Sequence, residues 1–377
     1  MKQLKKPLET FQQFDTLTDL PPRVFFAAHR YIQGPGELGR LGYYLGFIGS
    51  TKPGVLIPSD LPASIGETVS AGLVQHEVFF RAFSGECCYA AVATHVEAWS
   101  KESVDSVIVV GGGKAIDTAK CVASRLGVPL VVCPTLASSD APCSAAAVVY
   151  TEAGEFEVVE YFPSNPDVVV MDTQVVVNAP VRFFTAGIAD ALATGYEAKA
   201  TSTNQRGRSM LGARVTLAAQ LLSAQCSATI HELAERATND VRERKLTPAV
   251  EDVIEANTLL SGTGFESGGL AGAHGVATAL TSIHAVEKKF LHGEMVAVGL
   301  LTQLMLENDQ QEFIKVKTLL FKLGLPTSFR ALGIDWEMES IDSLINIALG
   351  LPFLHNVPFE VNAQNLRAAI EQVDAVA

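Results

Sequence analysis

The chain has 377 residues, 48% of them hydrophobic and 18% charged, enough apolar material for two cores of ordinary size and too much for a disordered chain. A formal net charge of −13 and an isoelectric point near 5.1 exclude a nucleic-acid or anionic-membrane surface as the main partner, and fit a cytoplasmic enzyme of small molecules. Mean hydropathy is +0.24, yet the longest uncharged stretch, Ser267–Val286, is interrupted by Gly268, Gly269, Gly272, Gly275 and two histidines, so it reads as protein interior rather than a membrane span.

Residues 1–22 are polar and end in Pro21-Pro22, which predicts an N-terminal arm. Met1–Glu9 is basic but lacks an apolar core and a cleavage site, so no signal peptide is expected. Over 23–179 short β-branched runs alternate with helical segments. Val55–Ile57, Ser106–Val110, Leu130–Val132 and Val168–Met171 are predicted strands, with helices over Ile65–Ala71 and Ile116–Leu126. Continuous apolar strands separated by helices imply a mainly parallel sheet covered on both faces, a Rossmann-like α/β domain. The cysteines at 87, 88, 121, 133, 143 and 226 form no C-x-x-C pair, so free thiols are expected.

Beyond Asn178-Ala179-Pro180 strand signals nearly vanish. Gly187–Ala200, Arg208–Leu222, Ala249–Leu260, Glu294–Glu307 and Asn365–Val373 read as helices, giving an all-helical domain over 180–377. No internal repeat is visible.

Val107–Lys120 reads as a buried strand, a glycine turn (Gly111, Gly112, Gly113) and a helix start carrying Lys114 and Asp117. Glycines let a backbone approach a pyrophosphate, whose charge a helix N-terminus favours. The stretch Pro134–Ser144 follows the next strand and so lies at the same sheet edge, where ligands of open α/β sheets bind. Hydroxyls of Thr135, Ser138 and Ser144 can reach a ribose or amide there, and Asp140 can accept from substrate hydroxyls. The plainer alternative is a turn rich in Ser, Asp and Pro for turn reasons.

In the second half, Asp190 sits in an apolar helical start, and His274 and His292 sit among small residues. On one unbroken helix the two histidines would lie roughly 27 Å apart, so if one ion holds both, the chain turns between them, within Ser282–Lys289. One Asp and two His suit Zn²⁺ with an open position for a substrate oxygen; the alternative is that each histidine is a hydrogen-bonded core residue.

Taken together these residues resemble the glycerol dehydrogenase branch of the iron-containing alcohol dehydrogenase superfamily. The resemblance covers nearly the whole chain, from Tyr31–Gly34 to at least Leu325, and is carried by GGGKAIDTAK at 111–120, PTLASSDAPCSA at 134–145, NPDVVVMDT at 165–173, APVRFFTAGIADALAT at 179–194, EANTLLSGTGFESGGLAGAH at 255–274 and FLHGEMVAVG at 290–299. It implies a dehydroquinate synthase-like architecture, a metal (Zn²⁺, with Fe²⁺ as the alternative) on Asp190, His274 and His292, and Asp140 on the polyol. It also implies NAD contacts from Gly112, Gly113, Lys114, Asp117, Thr135, Ser138, Ser144, Ala146 and Tyr150, and assembly as a homo-octamer.

The resemblance has departures. Related enzymes place a fourth ligand, His, where this chain has Thr194, as expected of the three-ligand zinc branch. Ala277 stands where members commonly have a second His, and Lys288-Lys289 where they often carry His-His. Either Ser59 or Asp60 occupies the place of the acid that grips the adenosine ribose; Asp60 there favours NAD over NADP.

The activity implied is reversible, metal-dependent oxidation of glycerol and related vicinal diols to hydroxyketones, catalysed through Asp140, Asp190, His274 and His292. Alternatives on the same scaffold are a 2-oxo acid/2-hydroxy acid oxidoreductase, a dehydroquinate synthase-like lyase and a silent nucleotide-binding protein. The first draws on Glu287–His292, which resembles a relative that reduces 2-oxo acids. No basic cluster for a phosphorylated acid surrounds Asp140, and the Asp/His/His set disfavours a silent protein.

Overall fold

The computed structural model describes residues 21–336 and 341–375. Among the described residues eight strands occur: β1 (Tyr31–Gly34), β2 (Pro53–Pro58), β3 (Phe79–Phe83), β4 (Ser106–Gly111), β5 (Leu130–Pro134), β6 (Ala146–Tyr150), β7 (Phe156–Tyr161) and β8 (Val168–Asp172). Six of them form one all-parallel sheet in the order β1-β8-β5-β4-β2-β3, and β6 and β7 make a separate antiparallel hairpin. The four predicted strands are thus β2, β4, β5 and β8. Strands β4, β5 and β8 are buried at every position, as continuous apolar runs inside a parallel sheet should be. Alternate residues reach one face: Ile108 and Val110, Val131 and Cys133, Val168 and Val170 pack there with Leu38, Leu41, Leu45 and Val69.

Chain packing divides the molecule into two compact units. The first comprises Ala27–Ala137 and Ala141–Ala179, and holds the sheet and hairpin. The second holds Ser138–Asp140 and the chain from Pro180 on, together with the described residues 21–26. The arm expected over 1–22 lies outside the described residues except for Pro21 and Pro22, whose carbonyls accept from Arg214 at 2.6 and 2.9 Å.

The second unit is helical among its described residues, with several boundaries that differ from expectation. The Val181–Thr203 helix starts directly after Pro180, six residues before the predicted Gly187. The helix expected from Arg208 begins only at Leu217, with the Thr216 hydroxyl capping the Ala219 N–H. Before it, Gly212 has φ 75°, which helical backbone does not adopt. Ala249–Leu260 is an α-helix, Pro248–Glu255, running into a π-turn, Ala256–Leu260, and then into the Ser261–Gly268 helix. Ser282–Lys289 contains the expected turn, but His284–Lys289 is itself a short helix. All six cysteines are buried and free. Among the described residues no helix is long and apolar enough to cross a membrane.

Candidate metal centre

Three helices of the second unit converge on one point. Asp190 lies midway along Val181–Thr203, His274 in the first turn of Gly272–Leu280, and His292 opens His292–Leu306. The helices meet through glycines. A Cβ on Gly293 would stand 1.9 Å from the Ala186 carbonyl oxygen, and one on Gly299 would stand 2.1 Å from that of Ala273. Each glycine therefore lets backbone meet backbone one turn or less from a candidate ligand. Arg182 fixes the same junction with a bidentate pair to Glu294 (2.7 and 2.7 Å), and Glu294 also accepts the Leu291 N–H at 2.8 Å.

The result joins histidines 18 residues apart in sequence. Their ring centroids are 5.2 Å apart, and the Nε2 atoms of His274 and His292 lie 3.3 and 3.4 Å from Asp190 Oδ1. The donor atoms all fall within 4.8 Å of one another. Asp190 is fully buried and His274 nearly so, whereas the His292 side chain is 44% exposed, so the cluster is closed on one side and open on the other.

Electrostatics follow from this arrangement. Burial alone would raise the Asp190 pKa, but His292 and His274 hold it well below the usual carboxylate range. Burial likewise opposes charge on His274, yet Glu197 and Asp190 raise its pKa well above the ordinary value. Asp190 Oδ1 is buried without a hydrogen-bond partner. Such an oxygen is costly unless a cation serves it, and two imidazole nitrogens face it. The donor set therefore fits a divalent cation, with Nε2 of each ring and the Asp190 carboxylate as ligands.

Glu197, missed in the sequence, completes the site. Fully buried, it accepts the His274 Nδ1–H at 2.6 Å and the backbone N–H groups of His274 and Ala271 at 2.9 and 2.7 Å. That bond fixes the tautomer and leaves Nε2 free to ligate. The signal that could have found it is spacing: Glu197 is two helical turns after Asp190, on the same face. Asp140 also comes here. Its backbone N–H donates to Asp190 Oδ2 at 3.3 Å, and its carboxylate accepts from the Ser261 hydroxyl at 3.5 Å. Thr194, at the place of the missing fourth histidine, is bonded to Ser261 at 2.8 Å between hydroxyl oxygens.

The other sequence-predicted residues, apart from Ser138, belong to the first unit. Gly112 is the N-cap of the Gly113–Leu126 helix, and a Cβ on Gly113 would meet nothing within 4 Å, so the helix entrance is open. Lys114 lies over the Tyr150 ring, 5.8 Å from its centroid, and pairs with Glu86. Asp60 is exposed in the turn after β2. Asp117 is buried and accepts the Val148 N–H at 3.0 Å, while Thr135 is buried with its own N–H on the Gly111 carbonyl at 3.1 Å. The Ser144 hydroxyl and the Ala146 carbonyl both accept from buried Lys120, at 3.0 and 2.6 Å, which ties them to the helix rather than leaving them open. Ser138, grouped with the second unit, is half-buried.

The chain is similar to known proteins along most of its length. A family model described as iron-containing alcohol dehydrogenase matches residues 28–173. The chain is 38% identical to a glycerol dehydrogenase of Thermotoga maritima, over 92% of this chain and 95% of that one. It is equally identical, 38%, to a glycolaldehyde reductase of Halobacterium salinarum, over 93% and 97% of the two chains. The crystal structure of a probable glycerol dehydrogenase from Sinorhizobium meliloti superposes with a TM-score of 0.86 at 38% identity, covering 94% of this chain and 98% of that one.

Proposed function

The chain belongs to the iron-containing alcohol dehydrogenase family and is an oxidoreductase, and from that footing we propose that it oxidises glycerol and related vicinal diols to hydroxyketones, reversibly, with NAD. One observation carries the reading: the Asp190–His274–His292 cluster has a second carboxylate beside it, Asp140, tied by its own N–H to Asp190. A divalent cation, for which Zn²⁺ suits two imidazoles and a carboxylate and Fe²⁺ is the alternative, supplies the Lewis acidity that makes a hydroxyl acidic near neutral pH, and the nicotinamide supplies the hydride acceptor.

The chain's own residues do the rest. Asp190 and His274 form a dry wall, and half-exposed His292 marks the side by which substrate enters. Asp140 accepts a hydrogen bond from the hydroxyl next to the reacting carbon and so orients the diol. Glu197 keeps His274 in the ligating tautomer. Gly112, Gly113 and Lys114 receive the pyrophosphate at the helix entrance. Asp60, exposed after β2, favours NAD by accepting from the ribose 2′-hydroxyl and repelling a 2′-phosphate. Assembly as a homo-octamer belongs to the same reading and is measured by light scattering.

Initial rates with glycerol, 1,2-propanediol and 2-hydroxybutyrate, each with NAD⁺ and NADP⁺, test it. The diols with NAD⁺ should be the best pairs. A kcat/KM that is highest for 2-hydroxybutyrate would replace the diol reading with a hydroxy acid dehydrogenase.

A further inference from the structure

We infer that Glu86 is a built-in counter-ion that competes with the cofactor pyrophosphate for Lys114 and so weakens dinucleotide binding. The inference rests on the reading that Gly112–Lys114 receives a dinucleotide.

Glu86 lies in the loop between β3 and the Tyr89–Glu102 helix, a loop bent at Gly85, whose φ is 85°. The loop is held against the end of β6 by the Tyr150 N–H, which donates to the Cys87 carbonyl at 2.8 Å. That placement brings Glu86 Oε1 to 2.5 Å from the Lys114 ammonium, which also lies over the Tyr150 ring. Lys114 is in the first turn of the helix whose entrance is otherwise open. The ammonium in the first turn of that helix is therefore already paired with a carboxylate.

The pair is not a comfortable one for the carboxylate. Its second oxygen, Oε2, is buried and has no hydrogen-bond partner. A pyrophosphate arriving at Gly112–Lys114 takes up an ammonium hydrogen and brings two negative charges close to Glu86. Part of the attraction from Lys114 is thereby cancelled, because like charges at short range oppose one another. The consequence is looser binding and easier release of the dinucleotide, without any change in the groups that meet the substrate.

Calorimetric titration of the full chain with ADP and with adenosine tests this, using the parent, Glu86→Gln, Glu86→Asp, Lys114→Met and the Gln/Met double variant. Gln keeps the shape and removes the charge, so Glu86→Gln should bind ADP about three- to tenfold more tightly at low salt. The gain should shrink at high salt, be smaller in the Lys114→Met background, where only direct repulsion by Glu86 is left, and be absent for adenosine. Glu86→Asp, which retains the charge, should stay within about twofold of the parent. An unchanged or weaker Glu86→Gln, a gain just as large without Lys114, or an equal gain in Glu86→Asp would overturn the inference. Its failure is distinct from failure of the nucleotide reading: in the first case the parent binds ADP and Lys114→Met weakens it, and in the second the parent binds neither ADP nor NADH.

Discussion

Glu197 and His274 are joined by two hydrogen bonds: the carboxylate takes the ring Nδ1–H at 2.6 Å and the His274 backbone N–H at 2.9 Å, and it also takes the N–H of Ala271, which leads into the same helix, at 2.7 Å. The ring is thus aimed by a buried anion from the helix that also supplies Asp190. Glu197→Ala should lower the affinity of the cofactor-free chain for Zn²⁺ by about 10- to 100-fold. Glu197→Gln, which can still accept through its amide oxygen, should lose less. Competition with a chromophoric chelator measures both. Equal affinity in Glu197→Ala would show that His274 holds its orientation unaided.

Asp190→Ala and His274→Ala should each lose bound metal and nearly all turnover while keeping the fold, since a three-ligand site has no ligand to spare. Elemental analysis beside circular dichroism reads the two effects separately. Full metal occupancy in either variant would remove that residue from the ligand set.

The glycine contacts make a sharper test of how packing builds the site. Gly293→Ala drives a methyl into the Ala186 carbonyl and must push apart the helices carrying His292 and Asp190. Overpacking of this kind should cost about 1–3 kcal/mol in urea unfolding and weaken metal binding as well. Gly113→Ala, with nothing within 4 Å of the added methyl, should leave stability unaltered and instead impair NADH binding by filling the helix entrance.

Much of this was readable in the chain itself. The runs at 106–110, 130–132 and 168–171 are β-branched and uninterrupted, so a buried parallel strand was the natural conformation for each. The edge strands β1 and β3 were missed because half-buried segments such as Phe79–Phe83, with Arg81 inside, carry no such run. The helix expected from Arg208 failed for a long-range reason: the side chain of Asn356, 148 residues away, accepts the Arg208 N–H and donates to the Arg208 carbonyl, which a helix would have paired with the N–H of Gly212. At the candidate centre, Asp190, His274 and His292 stood out by residue type in small or apolar surroundings. Glu197 did not, because only the fold shows that an ordinary helical acid collects three donors from a segment more than 70 residues later.

Stability should also depend on pH through His95, away from the candidate centre. Burial, reinforced by the Arg81 guanidinium whose Nε–H donates to His95 Nδ1 at 3.1 Å, lowers its pKa from 6.5 to about 4. As pH falls below 6.5 the unfolded chain takes up a proton that the folded chain refuses. Stability from this residue is therefore constant above 6.5, falls as pH drops from 6.5 to about 4, and levels off below that. The loss should reach about 3 kcal/mol. Urea unfolding at a series of pH values measures it, and His95→Gln should flatten that segment of the profile. A parent profile with no slope between pH 6 and 4.5 attributable to His95 would show that its imidazole is protonated in the fold.

Asp140 separates diol from hydroxy acid chemistry. Its carboxylate is buried, its backbone N–H is on Asp190 Oδ2 and its Oδ2 faces the Ser261 hydroxyl, so the side chain is held beside the Asp190–His274–His292 cluster. A diol presents that carboxylate with a hydroxyl that donates to it. A 2-hydroxy acid presents a second carboxylate, and two like charges at that range are costly. Asp140→Asn removes the charge and leaves the volume. It should lower kcat/KM on glycerol by about 1.5–3 kcal/mol, the worth of a hydrogen bond to a charged group, which is roughly 10- to 100-fold in rate. Turnover of 2-hydroxybutyrate by the same variant should be equal or better. Steady-state kinetics on both substrates with NAD⁺ decide it: unchanged glycerol kinetics would make Asp140 a turn residue held by Asp190 and Ser261, and would leave the diol assignment without its main physical support.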